Sequence, residues 1–240
     1  MTVKEKFDRF VELYRKGYSN LNKREQKTFR TFVRDMFTFK HTGKMPGMIS
    51  LSTACTCNGR CKKNAKIKGS ICEKCYAMQQ LKARDTNKSK FERNYDILTT
   101  MMIPVEAWPV LNANISRIEA FGDVDTPLQV LNYCNLCTAN PDTTFSVWTK
   151  NPDIYKIAFD TLCVKPANMI VIYSALFIDR PVSITKLLKA FPFIDKVFTV
   201  FTKRYAKKNN IDINCGARCC ATCKRCYDRN TGTCVNEILK

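Results

Sequence analysis

Apolar and polar positions follow two periods along this chain, and the switches between them mark its elements. Near the start, Phe7, Phe10, Val11, Tyr14 and Tyr18 recur at the spacing of one helix face. A second helix is expected from Asn22, where Glu25 is placed for a capping box and Phe29, Phe32, Val33 and Met36 share a stripe. Aromatic stripes of this kind read as packing surface. Met48-Ile49-Ser50-Leu51-Ser52-Thr53 predicts a strand, and helices are expected over residues 70–84 and 89–102. From residue 116 the two periods take turns. Strands are predicted at Ile118-Glu119-Ala120-Phe121, Thr144-Phe145-Ser146-Val147-Trp148, residues 169–175 and Val197-Phe198-Thr199-Val200-Phe201. Between them, helices are predicted over residues 127–138, 152–162 and 184–190. Such alternation builds βαβ units. The fold class is therefore α/β, a partial (β/α) barrel or a mainly parallel sheet, with an N-terminal helical pair and cysteine-rich metal-binding loops. Three segments follow: 1–45 helical, 46–205 the α/β core with the first cysteine group, and 206–240 a C-terminal cysteine-rich metal-binding segment.

Composition changes what such a scaffold is expected to do. The chain has 14 cysteines and one histidine, His41, among 240 residues. With a single imidazole, His-dependent triads and His-rich metal sites are not expected. The longest apolar run, residues 169–178, is well short of the ~20 residues that cross a bilayer, so no membrane partner is expected. Charges at Lys4, Glu5, Lys6, Asp8 and Arg9 occupy the place of a signal peptide's apolar stretch, so a reducing cytoplasm is expected. Clustered thiols in that compartment point to metal or redox chemistry rather than a disulfide framework. The net charge of +19 is unevenly spread. Residues 101–200 hold 8 basic and 9 acidic side chains, so the excess lies in the flanks, where the two main cysteine groups also lie.

Cys220-Ala221-Thr222-Cys223-Lys224-Arg225-Cys226 is a C-x2-C-x2-C run, with Cys215 upstream. Three thiols at this spacing suit a four-iron cluster, and tetrahedral zinc accepts the same pairs. The expected ligands are Cys215, Cys220, Cys223 and Cys226, with Cys219 and Cys234 competing for the fourth place. In the first group, Cys57, Cys61, Cys72 and Cys75 are the expected ligands and Cys55 the alternate, with Gly59 allowing a tight turn. Cys134, Cys137 and Cys163 fall in or beside apolar helices and read as core. In βαβ folds function gathers at the carboxyl ends of strands. Gly122-Asp123, Thr149-Lys150, Ser174 and Thr202-Lys203 stand there, although Asp123 and Thr149 would equally suit helix caps.

The stretch from Ser52 to Cys57, the Cys72-x2-Cys75-Tyr76-Ala77 ending, Phe121-Gly122-Asp123, Val147-Trp148-Thr149-Lys150 and the terminal cysteine group together resemble the phage and bacterial "gene product eighty-eight" family. That family looks like a distant relative of radical S-adenosylmethionine enzymes, and the resemblance spans roughly residues 48–235. It implies a phage or mobile-element protein in the host cytoplasm, with one or two 4Fe-4S clusters and S-adenosylmethionine at Gly122 and Asp123. The radical enzymes' C-x3-C-x2-C loop begins here with Cys57 and Cys61 but has Asn64 at its third position. Asp123 and Lys150 are the candidate catalytic residues. The contrasting expectation is a zinc-stapled nucleic-acid-binding protein without catalytic activity. DNA or RNA would meet Arg60, Lys62, Lys63, Lys66, Lys68, Lys203, Arg204, Lys207 and Lys208, with Tyr76, Tyr205 and Tyr227 available for base stacking.

Overall fold

The computed structural model of this chain describes residues 2–39, 45–83, 85–216 and 219–239; His41 lies outside them. Two helices open the chain, α1 (Val3–Lys16) and α2 (Lys23–Asp35), and each starts with a capping box, Thr2 with Glu5 and Asn22 with Glu25. Their stripes face each other, the Phe10 ring centre lying 4.5 Å from that of Phe29 and 4.4 Å from that of Phe32. There follow β1 (Phe37–Phe39), β2 (Ile49–Leu51), α3 (Gly59–Asn64), α4 (Tyr76–Ala83), α5 (Asp85–Thr100), β3 (Ile115–Ile118) and α6 (Pro127–Thr138). The second half runs β4 (Thr144–Thr149), α7 (Pro152–Thr161), β5 (Met169–Ser174), α8 (Ile184–Ala190), β6 (Lys196–Phe201), α9 (Lys203–Lys208), α10 (Cys220–Cys223) and β7 (Cys234–Ile238).

The strands form one sheet in strict chain order, β1 to β7, with β1 antiparallel to β2 and all later neighbours parallel. Right-handed crossovers between sequential parallel strands bring α5, α6, α7 and α8 to one face. The packing agrees. Leu51, Ile118, Phe145, Val147, Met169 and Val171 share a core with α6, α7 and the stripes of α1 and α2. The opposite face carries Ile170, Ile172, Phe198, Val200 and Val235, and it is packed by Ile71, Cys215 and Cys226 from the cysteine-bearing segments. The expected N-terminal helical pair thus shares one core with the sheet.

Several boundaries differ from the pattern reading. The strand expected at 118–121 is β3, ending at Ile118, because Glu119 takes the left-handed φ of 56° and turns the chain. The helix expected from residue 70 begins at Tyr76, and the one expected from 89 begins at Asp85. β1, α3, α9, α10 and β7 were not anticipated. In β7 only Val235 is buried, and flanking Asn236 and Glu237 hide the strand pattern. Gly59 opens α3 with Asn58 as its cap; a left-handed turn is absent there.

The seam between α5 and α6 depends on one buried side chain. Asn132 Nδ2 donates to Leu98 O (3.0 Å) and Met101 O (2.7 Å), and its Oδ1 accepts from Ile103 N (2.8 Å). Replacing Asn132 by Ala strands these backbone groups, and at about 1 kcal/mol each the expected loss is about 3 kcal/mol. Denaturant unfolding should show it while far-ultraviolet circular dichroism keeps the native helix content; a loss under about 0.5 kcal/mol, below the usual worth of one such bond, would refute this account.

Candidate metal centres

The turn after β3 organises the strand ends. Glu119, 2% exposed, accepts from Thr53 N (3.1 Å) and Thr53 Oγ1 (2.8 Å), from Gln129 Nε2 (2.8 Å) and from the Tyr133 hydroxyl. Burial pushes its carboxyl up, and the donors from Tyr133 and Thr53 oppose that shift. Gly122 is needed for close approach: a Cβ there would lie 2.3 Å from Thr53 Oγ1 and 2.8 Å from Thr53 O.

Next in chain, Asp123 joins the ends of three elements. Its Oδ1 accepts from Thr149 Oγ1 (2.7 Å) and Val124 N (2.8 Å), and its Oδ2 from Lys150 N (2.8 Å). Lys150 Nζ donates onward to Ser174 Oγ (3.0 Å). Asp123 and Thr149 therefore bond each other, while Thr126 and Asn151 occupy the caps of α6 and α7. Thr202 stays outside this network and caps α9.

The first cysteine group sits over these residues. Asn58 Nδ2 donates to Asp123 O (2.9 Å) while its Oδ1 accepts from Cys61 N (2.9 Å), which fixes the start of α3 above the turn. Ile71 N donates to Leu176 O (2.8 Å) and anchors the stretch before Cys72 to the loop after β5. Four thiols act on one another in a ring: Cys55 on Cys75 and Cys61, Cys61 on Cys72, and Cys72 on Cys75. The Cys55 thiol donates to Cys75, so Cys55 is driven up. The same bond holds Cys75 well below the ordinary thiol value, assisted by the N–H groups of Met78 and Ala77 at the start of α4. Burial pushes Cys61 and Cys72 up, and Lys150 pulls both back. Cys57, expected as a ligand, packs against the same cluster as Cys55, Cys61 and Cys75, and beyond burial the charges acting on it are Glu92, Asp96 and Lys62. The buried Cys55, expected only as alternate, bonds Cys75 within that cluster.

In the second group Cys226 is pushed up to about 12, first by burial, with Arg117 opposing and Cys215, Cys220 and Cys223 adding. Cys215 and Cys226 pack on the sheet face without long helices. Lys224 takes the left-handed φ of 51° between Cys223 and Cys226, a turn that no glycine announces. Of the competitors, Cys219 contacts Thr222 Oγ1 (2.7 Å) and Cys234 is exposed. Cys134 and Cys137 are buried on α6, and the Cys163 thiol donates to Cys134 Sγ (3.5 Å), away from both groups. Among the described residues, no set of three or more Cys, His, Asp or Glu side chains stands at metal-holding spacing. Both groups nevertheless supply four soft donors with cations beside them, the donor chemistry of zinc or an iron–sulfur cluster, and ligation requires the thiols to draw inward.

Sequence reasoning missed Arg117. It projects from β3 and lies 4.4 Å above the Trp148 ring. Burial works against its charge, while Tyr76, Tyr227, Cys220 and Cys226 favour it. The only signal was a cation inside an apolar strand. Tyr227, proposed for base stacking, is 8% exposed and unable to stack on a base, whereas the basic side chains of α3 and α9 are exposed.

Gly122→Ala should force Thr53 and Glu119 apart and cost about 2–3 kcal/mol in denaturant unfolding, as overpacking does; wild-type stability would show that this approach is not a constraint. Comparison with protein-family profiles, with curated proteins and with solved structures finds no match to this chain.

Proposed function

We propose that this chain is an iron–sulfur protein of a phage or mobile element, related to the gene product eighty-eight family and carrying two thiolate metal centres on a radical-enzyme-like α/β scaffold. The observation that carries the reading is the grouping of the thiols: Cys55, Cys61 and Cys75 share one packed cluster with Cys72 acting on Cys75, and Cys215 and Cys226 pack on the opposite sheet face with Cys220 and Cys223 acting on Cys226. Lys150 is the cation nearest in role to the first centre, because it pulls the Cys61, Cys72 and Cys75 thiols toward the thiolate form that binds metal. Zinc in the same sites is the competing occupant. S-adenosylmethionine is left out of the proposed function. Gly122 is consumed by the approach of Thr53 and Glu119, and both Asp123 oxygens accept bonds from the protein itself.

Anaerobically prepared protein should be brown, with iron and acid-labile sulfide for two clusters. Cys55→Ser and Cys223→Ser should each remove about half of the iron, as expected where one of four thiolate ligands is lost from one of two clusters. Cys57→Ser should keep it all. Stoichiometric zinc without sulfide would replace the iron–sulfur reading by the zinc one, and protein that takes up neither metal would end both. Equal losses in Cys55→Ser and Cys57→Ser would return Cys57 to the first centre.

A second reading, nucleic-acid association, is favoured by the placement of two exposed basic helices. α3 follows β2 and α9 follows β6, so both leave the carboxyl-end rim of the parallel strands. Binding to mixed-sequence DNA or RNA should fall by at least about tenfold between 50 and 200 mM salt, as phosphate contacts release counterions. No binding at the lower salt would dismiss it.

A further inference from the structure

The face of the sheet without long helices holds polar atoms that the fold leaves without partners. Arg117 Nε and Trp148 Nε1 are sealed from solvent and make no hydrogen bond, whereas the Ser146 side chain bonds Tyr227. Arg117 and Ser146 are directly paired across β3 and β4, and Trp148 follows two residues on, so all three project from the same side. Arg117 Nη1 reaches only the Met45 sulfur, at 3.8 Å, and the guanidinium has no carboxylate partner among the described residues. A guanidinium does not deprotonate in a protein, so its charge must be met by another group or borne as a cost. The groups that face it are Tyr76, Tyr227, Cys220 and Cys226, none of them a carboxylate.

We propose that Arg117, seated on Trp148, is the built-in counter-cation and hydrogen-bond donor of an anionic centre held by Cys215, Cys220, Cys223 and Cys226. The inference rests on the reading of those thiols as a metal centre and deepens it. A four-thiolate zinc site and an oxidised four-iron cluster both carry about −2 overall, so either would supply the missing anion. Sulfur ligands also accept from N–H groups around them, and the idle donors on Arg117 and Trp148 lie beneath the segment that carries Cys226. Arg117 is thus a positioning residue for the second centre, as Lys150 is for the first.

The test compares anaerobically purified full-length wild type with Arg117→Met, which keeps the side chain's length and packing, and with Arg117→Lys, which keeps the charge. Metal and sulfide are assayed during competition with a chelator, and melting temperature is measured before and after metal removal. Arg117→Met should lose metal from the second centre at least tenfold more readily and should melt lower only in the loaded state, while Arg117→Lys should retain most of the metal. The metal left in a Cys223→Ser background, which reports the first centre alone, should be unaffected by Arg117→Met. Unchanged retention in Arg117→Met, or an equal drop in melting temperature with and without metal, would overturn the assignment and leave Arg117 as a packing residue. If Cys223→Ser removes no metal from an otherwise wild-type chain, the reading of a second centre fails, and that outcome is distinct from the failure of Arg117.

Discussion

A sheet wound in one direction has two unlike faces, and the rest of this molecule answers to that asymmetry. Sequential parallel strands with right-handed crossovers send α5, α6 and α7 to the same side, where aromatic and aliphatic residues complete a core. Among the described residues, the other side receives no long helix, only the cysteine-bearing segments and the short α10. Ile170, Ile172, Phe198, Val200 and Val235 still have to be removed from water, and the chain covers them with segments of unusual make-up, rich in cysteine and in lysine. The thiols here are therefore structural before they are anything else. They lie where a closed barrel would have put more strand, and their softness suits both roles, since a free thiol packs as a small apolar group.

The strand ends follow a related logic with polar groups. Glu119 closes β3 in a left-handed conformation and gathers donors from β2's extension and from α6, while Asp123 four residues later gathers donors from the end of β4. Two buried carboxylates so near each other repel, and Asp123 accordingly adds to the upward push on Glu119. The fold tolerates this because each oxygen is hydrogen-bonded and because Lys150 stands beside the second carboxylate. The result is a stiff platform on which Asn58 sets the beginning of the first cysteine segment.

Much of this was legible in the sequence wherever the signal is periodic. The capping box at Asn22, α6 from Pro127 to Thr138 and α8 from Ile184 to Ala190 follow from local residues alone, because cap chemistry and one-sided burial leave a direct trace. The mainly parallel arrangement of β2 to β6 likewise follows from alternation. What stayed hidden depends on contacts distant in sequence. Cys55 and Cys57 are two residues apart in a turn, and spacing cannot say which one meets Cys75. Glu119 looked like a strand residue because nothing local reveals the Thr53 and Tyr133 groups waiting for it. Arg117 lies one residue before the strand expected at 118–121, and β7, with one buried residue, carried no pattern to read.

β7 also has a bearing on how the chain survives its own synthesis. It follows β6 in the chain and pairs with its residues Val197–Phe201, and all six residues of β6, Lys196–Phe201, are buried. Until β7 arrives, Lys-Val-Phe-Thr-Val-Phe is an open edge of high strand propensity with a single charge, the kind of segment that recruits other chains. Between the two strands lies the terminal cysteine segment, which must be in place before β7 can dock. Arg229 fastens that segment, its guanidinium bonded to Asp195 Oδ1 (3.0 Å), Ala167 O (2.6 Å) and Met169 O (2.6 Å). Whatever orders the segment around Arg229 therefore also decides whether the edge of β6 is covered.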